Sequence, residues 1–136
     1  MVLQGRAGAS ALAAALIGGF VAFAPAAHAS VASSSSVAAC YDTAHSYSKP
    51  DGNQYYPTPG SHLTTTSACS DINIKPKTDR YVAVCFSPSS GSDYCQSSYT
   101  LAHAGQWNTI ATDVVDGTKF YFEFRSTALS NGSWAA

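Results

Sequence analysis

Residues 119–125, with the sequence KFYFEFR, alternate polar and aromatic side chains with a period of two. Phe120, Phe122 and Phe124 are in phase, so an extended strand carries all three rings on one face. Each ring buries well over about 100 Å² in a core, so this face requires a second apolar layer to cover it. The pattern therefore predicts a β-strand whose phenylalanines point into a core and whose intervening side chains face water.

The same period recurs along the chain, and no stretch after Cys40 has apolar residues at helical spacing. Residues 80–86, RYVAVCF, are apolar on both faces, which predicts a central strand that is covered on both sides. Residues 49–60 contain three prolines and two glycines, which favours a loop over regular pairing. Further strands are predicted over residues 70–75, 107–114 and, with a weaker pattern, 94–101.

Four cysteines, at positions 40, 69, 85 and 95, are an even number in a small domain, which predicts two disulfides. Four cysteines allow three pairings. We favour Cys40–Cys69 and Cys85–Cys95, because residues 87–92 between the second pair are typical of a tight turn. The spacings contain no CxxC, which argues against zinc.

The predicted strands and the two disulfides together predict an all-β chain. We expect a small disulfide-stabilised antiparallel β-sandwich, or small barrel, that forms one domain over residues 40–136.

Residues 1–29 have the layout of a cleaved secretory signal peptide. Arg6 precedes an apolar run over residues 11–24, and the small residues around Ala29 form the cleavage site. The run is shorter than the roughly 20 residues that span a bilayer. We therefore expect a secreted, extracellular protein with no membrane span in its mature part. Residues 30–39, rich in serine and alanine, are predicted to form a flexible arm.

The charge balance argues against nucleic acid as a partner. The chain has 7 basic and 8 acidic residues, and only 11% of it is charged. Because Arg6 leaves with the signal peptide, the remainder keeps six basic and eight acidic residues. Proteins that bind DNA or RNA through electrostatics need a basic surface.

Three blocks carry a resemblance: CSDIN at residues 69–73, RYVAVCF at 80–86 and AGQWNTIATDVVDGTKF at 104–120. They are similar to a type of small secreted actinobacterial protein with a two-disulfide β-domain, over residues 55 to 136. The resemblance implies export and a β fold, and it carries over no functional residue. In size and class the chain also resembles the secreted α-amylase inhibitors of the same bacteria, although their tryptophan-arginine-tyrosine signature is absent.

Catalytic motifs are poorly supported. His45, His62 and His103 accompany many serines, but there is no GxSxG nucleophile elbow, and surface histidines in loops explain them. Glu123 is the single glutamate, whereas a glycosidase needs two placed carboxylates. We predict that the protein is not an enzyme and has no cofactor.

Calcium is a further alternative, because its ligands are clustered oxygens. Asp71, Asn73, Asp113 and Asp116 supply such oxygens, but their spacing matches no EF-hand. Turn formation explains an aspartate before glycine without a metal, so no metal site is predicted.

The aromatic residues suggest function most directly. Tyr55 and Tyr56 lie in the proline-rich loop, Tyr121 points outward by strand parity, and Trp107 is out of phase with its apolar neighbours. Exposed tyrosine and tryptophan combine apolar area with a polar group, which suits protein interfaces and sugar stacking. We therefore predict that these four residues form one recognition surface, the alternative being that they cover the open ends of the core.

These observations favour a non-catalytic secreted binding module whose partner is an extracellular protein or a polysaccharide, including a cell-envelope polymer. One alternative is a secreted inhibitor of a hydrolase that presents residues 49–60 or 87–92 to an enzyme cleft. Another is a structural surface protein, suggested by the low charge. The sequence leaves the oligomeric state open.

Overall fold

The computed structural model describes residues 32–136, with side chains from Val37 onward. It contains one helix and ten strands over that part of the chain: α1 (Ala32–Asp42), β1 (His45–Lys49), β2 (Tyr55–Tyr56), β3 (Leu63–Thr64), β4 (Ile72–Pro76), β5 (Arg80–Phe86), β6 (Tyr94–Cys95), β7 (Thr100–Ala102), β8 (Asn108–Ala111), β9 (Lys119–Phe124) and β10 (Ser130–Ala135). The predicted signal peptide over residues 1–29 lies outside the described residues.

The strands form two antiparallel sheets, which confirms the all-β prediction. A four-stranded sheet has the order β1-β10-β4-β8. A six-stranded sheet has the order β2-β9-β5-β6, with β3 also paired to β9 and β7 to β5. No helix of residues 32–136 has the length and apolar character needed to cross a membrane.

The three phenylalanines of β9 lie in the core, as the alternation predicts. Phe120, Phe122 and Phe124 are fully buried. Trp134 of the four-stranded sheet packs edge to face on Phe120, with ring centroids 5.8 Å apart. Both sheets supply residues to this one cluster, so burial of their inner faces holds the fold together.

The strand predictions hold best where the pattern is local. β5 has the predicted bounds, but its second face is covered only in part, since Tyr81 is 44% exposed while Ala83 and Cys85 are buried. The strand predicted over residues 94–101 is divided into β6 and β7, and β2 lies within the predicted loop. The prediction missed β1, β3 and β10.

The structure pairs the cysteines as we favoured, Cys40 with Cys69 and Cys85 with Cys95. The first disulfide attaches the end of α1 to the segment between β3 and β4, and both cysteines pack on Ala135 of the four-stranded sheet. There Tyr41 stacks on Trp107, with centroids 4.5 Å apart and planes 2° from parallel. The structure has a helix over Ala32–Asp42, where we predicted a flexible arm over residues 30–39, and these two contacts anchor its last turn.

Lys49 is a buried lysine that the sequence did not single out. Its side chain has no exposed surface. The Nζ atom donates hydrogen bonds to four carbonyl oxygens: those of Pro50 at 3.4 Å, Asn53 at 2.6 Å, Thr127 at 3.1 Å and Ala128 at 2.7 Å. It also lies 5.2 Å from the ring centroid of Phe124. Lys49 thus ties the loop before β2 to the loop before β10.

Candidate functional site

The two adjacent tyrosines of β2 point to opposite sides of the six-stranded sheet. In the pairing with β9, Tyr55 lies opposite Glu123 and Tyr56 lies opposite Phe122. Paired residues share a face, so Tyr56 joins the buried face and Tyr55 the outer one. Accordingly, the Tyr56 ring lies 5.4 Å from that of buried Tyr47. Tyr56 is therefore part of the core packing, and Tyr55 is not.

On the outer face, Tyr55 meets Tyr121 of β9. Their ring centroids are 5.7 Å apart and their planes are 78° from parallel. The His62 ring, just before β3, lies 6.2 Å from Tyr121 at an interplanar angle of 57°. The three rings line a pocket of about 250 Å³ together with Pro57, Pro59 and Asp93. We call this the tyrosine pocket.

A second concave region adjoins the tyrosine pocket, since His62 lines both. It has a volume of about 540 Å³ and is also lined by Phe86, Tyr94 and Lys119. Tyr94 is 59% exposed, and its ring centroid lies 5.4 Å from that of Phe86. We call this region the hairpin groove.

The hairpin closed by Cys85–Cys95 forms a wall of both concave regions. Within it, the Ser87 hydroxyl donates a hydrogen bond of 2.7 Å to Asp93 Oδ1. The Ser87 backbone N–H donates to the Lys119 carbonyl of β9 at 2.9 Å. The disulfide and these two hydrogen bonds hold Asp93 beside Tyr121.

Two carboxylates, those of Asp93 and Glu123, lie near the tyrosines on this face of the sheet. Glu123 Oε1 accepts hydrogen bonds from Gln54 Nε2 at 3.1 Å and from the Tyr99 hydroxyl at 3.0 Å. Loss of solvation raises the pKa of Tyr121, and the negative charge of Asp93 raises it further. The pKa of Tyr99 is raised in the same way, by loss of solvation first and then by its hydrogen bond to Glu123.

The structure does not bring the four predicted aromatic residues together. Tyr55 and Tyr121 share the tyrosine pocket, whereas Tyr56 packs on the core. Trp107 lies on the other sheet, where it packs with Tyr41 against the Cys40–Cys69 cluster. The Lys75 Nζ atom is 5.2 Å from its ring centroid. A site that includes Tyr55 and Tyr121 therefore excludes Tyr56 and Trp107.

Sequence reasoning assigned no role in a binding site to two ionisable members of the pocket, His62 and Asp93. His62 was explained as a surface histidine, and Asp93 lies next to the predicted turn over residues 87–92. His62 reaches Tyr121 because Leu63 of the two-residue strand β3 pairs with Phe120. Asp93 reaches Tyr121 through the Cys85–Cys95 hairpin. The favoured disulfide was the one available signal, since it predicts that residues 87–94 fold back toward β5.

The three described histidines occupy separate places. The His45 ring stacks on Trp134 with centroids 4.7 Å apart. His103 Nδ1 lies 3.8 Å from Asp79 Oδ2, where both side chains are exposed, and His62 borders the tyrosine pocket. Nucleophilic catalysis would need one of these histidine rings within hydrogen-bond distance of a nucleophile, together with a group that orients the ring.

Two of the residues considered for calcium, Asp71 and Asn73, use their side-chain oxygens in hydrogen bonds within the protein. Asp71 Oδ1 accepts a hydrogen bond of 3.1 Å from the Asp113 N–H, and Asn73 Oδ1 accepts one of 2.8 Å from the Thr109 hydroxyl. Elsewhere, Cys85, Cys95 and Glu123 have ligand atoms within 4.8 Å of one another. Both sulfurs are bonded to each other, and a metal ligand must be a thiolate.

Comparison of the chain with models of known protein families, with curated proteins and with solved structures found no match. Function is therefore inferred from the site itself.

Proposed function

We propose that the protein is an exported, non-catalytic binding module that recognises an extracellular polymer or protein through the tyrosine pocket and the hairpin groove. The observation that carries this proposal is the pair Tyr55 and Tyr121. Both rings are half-buried and line a pocket on the outer face of the sheet, away from the core cluster. Tyrosines in such a position offer apolar area and a hydroxyl to a ligand.

The pocket is held in shape before any ligand binds. Tyr55 belongs to a strand paired with β9, and the preceding loop is fixed by the Lys49 ammonium group. Pro57 and Pro59 restrict the backbone that follows. Because rigid side chains lose little conformational entropy on binding, these features favour recognition over a merely structural role.

Binding is tested by retention of the purified protein on insoluble polysaccharides and on immobilised proteins from a culture supernatant. We expect one of these to retain the protein, and Tyr55→Ala or Tyr121→Ala to weaken retention by about tenfold, as for an interface anchor. The control is Tyr81→Ala, an exposed tyrosine of the same sheet that does not line the tyrosine pocket. Equal retention of all three variants would contradict the proposal.

Export is supported by the signal-peptide pattern and by the two disulfides, since disulfides persist in oxidising compartments. N-terminal sequencing of protein from the medium is expected to find a mature chain that begins near Ser30. Secreted protein that retains Met1 would contradict cleavage.

The non-catalytic part of the proposal is supported by the partners of the groups that a triad would need: the Ser87 hydroxyl, which lines the hairpin groove with His62, donates to Asp93, and His103 lies beside Asp79. Alanine at His45, His62 or His103 is expected to leave any hydrolytic activity within a few-fold of its original value. A loss of about a hundredfold, comparable to removal of a general base, would restore the catalytic interpretation if the variant remains folded.

Inhibition of a hydrolase is the second candidate, and the exposed hairpin favours it. Residues 88–95 are exposed and closed by a disulfide, and a rigid loop of this kind inserts into a cleft at low entropic cost. In the supernatant experiment, an inhibitor would co-purify one hydrolase at fixed stoichiometry. A polymer-binding module would instead be retained by polysaccharide and released by free sugar.

A further inference from the structure

The shape of the tyrosine pocket is that of a corner. The Tyr55 and Tyr121 rings stand at 78° to each other, and the His62 ring adds a third, tilted side. A flat sugar ring stacks best on one open aromatic face. Rings that stand nearly perpendicular surround a compact, rounded group instead, as in the aromatic cages that bind methylated ammonium groups.

The charge of the pocket has a single sign. Asp93 lines it, and Glu123 lies opposite Tyr55 on the same face of the sheet, which also carries Lys119 and Arg125 outside the pocket lining. Among the described residues, the lining contains neither lysine nor arginine, and Lys119 lines the neighbouring groove. Aromatic faces and a carboxylate both attract a cation.

From this geometry we propose that the tyrosine pocket binds a compact organic cation, a methylated ammonium group. The inference rests on the proposed function, because it names the chemical group that the same pocket recognises. The volume of about 250 Å³ is below the roughly 300–1,000 Å³ of pockets that enclose drug-sized ligands. The pocket therefore suits one head group, with the rest of the ligand lying along the hairpin groove.

The test compares choline with 3,3-dimethyl-1-butanol, which has the same shape without the charge. Each is titrated into the purified protein with both disulfides formed, and the ring signals of Tyr55 and Tyr121 are followed by NMR. We expect choline to shift both signals and the neutral alcohol to bind about tenfold more weakly, as a cation–π contact and a carboxylate require.

Asp93→Asn separates charge from shape. Asparagine Oδ1 can still accept the Ser87 hydrogen bond, so the hairpin is expected to keep its fold while choline binds about fivefold more weakly. Asp42→Asn is the matched control, an exposed acid at the end of α1 on the other sheet. It is expected to leave choline affinity unchanged.

Three results would overturn the inference: equal binding of choline and the alcohol, no shift of either tyrosine signal with choline, or unchanged choline affinity in Asp93→Asn. Retention on a polymer that depends on Tyr55, with no competition by choline, would leave the proposed function standing and remove this inference. Choline binding without retention by any polymer or protein would leave this inference standing and remove the proposed function.

Two sources can supply such a group, and separate probes distinguish them. Phosphatidylcholine vesicles test a lipid head group by co-sedimentation, and a peptide with trimethylated lysine tests a modified side chain by the same NMR signals. Binding of either probe through Tyr55 and Tyr121 supports the inference. Failure of both probes while free choline still binds would exclude these two sources and support the inference about the pocket itself, whereas failure of free choline overturns it.

Discussion

Tyr55 of β2 and Tyr121 of β9 meet edge to face on the outer side of the six-stranded sheet, with their ring centroids 5.7 Å apart. β2 has only two residues, so its pairing with β9 sends Tyr55 outward and Tyr56 toward the core. One short strand therefore joins the candidate site to the packing of the fold. The predictions below separate these two roles.

Lys49 is expected to be essential for stability. Lys49→Met removes the ammonium group and with it a hydrogen bond to each of four carbonyl oxygens. The Pro50 and Thr127 carbonyls keep backbone N–H donors, so we expect a cost of about 2–4 kcal/mol, mainly from the Asn53 and Ala128 carbonyls, at about 1–3 kcal/mol for each unsatisfied group. Urea unfolding of both proteins measures the difference. The exposed Lys77 provides the control, since Lys77→Met is expected to change stability by less than about 0.5 kcal/mol. A cost below about 1 kcal/mol for Lys49→Met would contradict this account of the buried ammonium group.

The two disulfides are expected to differ in their effect on binding. By loop closure, Cys85–Cys95 contributes about 3 kcal/mol and Cys40–Cys69 about 4 kcal/mol to stability. Replacement of Cys85 and Cys95 by serine also releases the hairpin that carries Asp93, so choline affinity should fall together with stability. Replacement of Cys40 and Cys69 by serine should lower stability and leave choline affinity unchanged, because this disulfide lies beside the other sheet.

Calorimetry and the choline titration, both at a temperature where each variant is folded, check this difference. If the Cys85–Cys95 variant binds choline as the unmodified protein does, the hairpin does not form the pocket wall.

Tyr47 is expected to make stability depend on alkaline pH. Burial raises the pKa of Tyr47 above its ordinary value, so the folded state keeps a proton that the unfolded state loses near about pH 10. This contribution is complete below about pH 10 and disappears as the pH rises through the folded-state pKa. Stability should therefore fall above about pH 10, and less steeply in Tyr47→Phe.

Unfolding curves between about pH 8 and pH 11.5 measure this, and the comparison between the two proteins cancels the other titrating groups. Below about pH 9 the variant should lose about 1 kcal/mol, because the buried Ser130 hydroxyl, 2.9 Å from the Tyr47 oxygen, loses its partner. Identical slopes above about pH 10 would contradict the assignment to Tyr47.

The parts of the fold that could be predicted are those whose pattern is contained in one segment. Phe120, Phe122 and Phe124 define β9 without reference to any other strand. β10 has the sequence SNGSWA, which has no apolar alternation, and it forms a strand because β1 and β4 pair with it on either side. Gly132 is required there, since a Cβ atom would overlap the Lys75 carbonyl oxygen and the Tyr47 ring.

The candidate site could be predicted only in part, because only some of its side chains are oriented by a pattern contained in one segment. The outward direction of Tyr121 follows from the period of β9. The directions of Tyr55 and Tyr56 depend on the register of a two-residue strand inside a proline-rich loop, which no local pattern specifies. The burial of Lys49 also depends on two distant loops that meet in space.

The most direct test of the central claim compares Tyr55→Ala with Tyr56→Ala, for both melting temperature and retention by the polymer or protein that retains the unmodified chain. Tyr55→Ala should weaken retention about tenfold and cost less than about 1 kcal/mol, a shift below about 5 °C. Tyr56→Ala should cost about 2 kcal/mol and melt about 10 °C earlier, and Phe122→Ala should cost about 3–5 kcal/mol. If Tyr55→Ala melts as early as Tyr56→Ala, or is retained as well as the unmodified chain, Tyr55 belongs to the core or to no site, and the binding account is wrong.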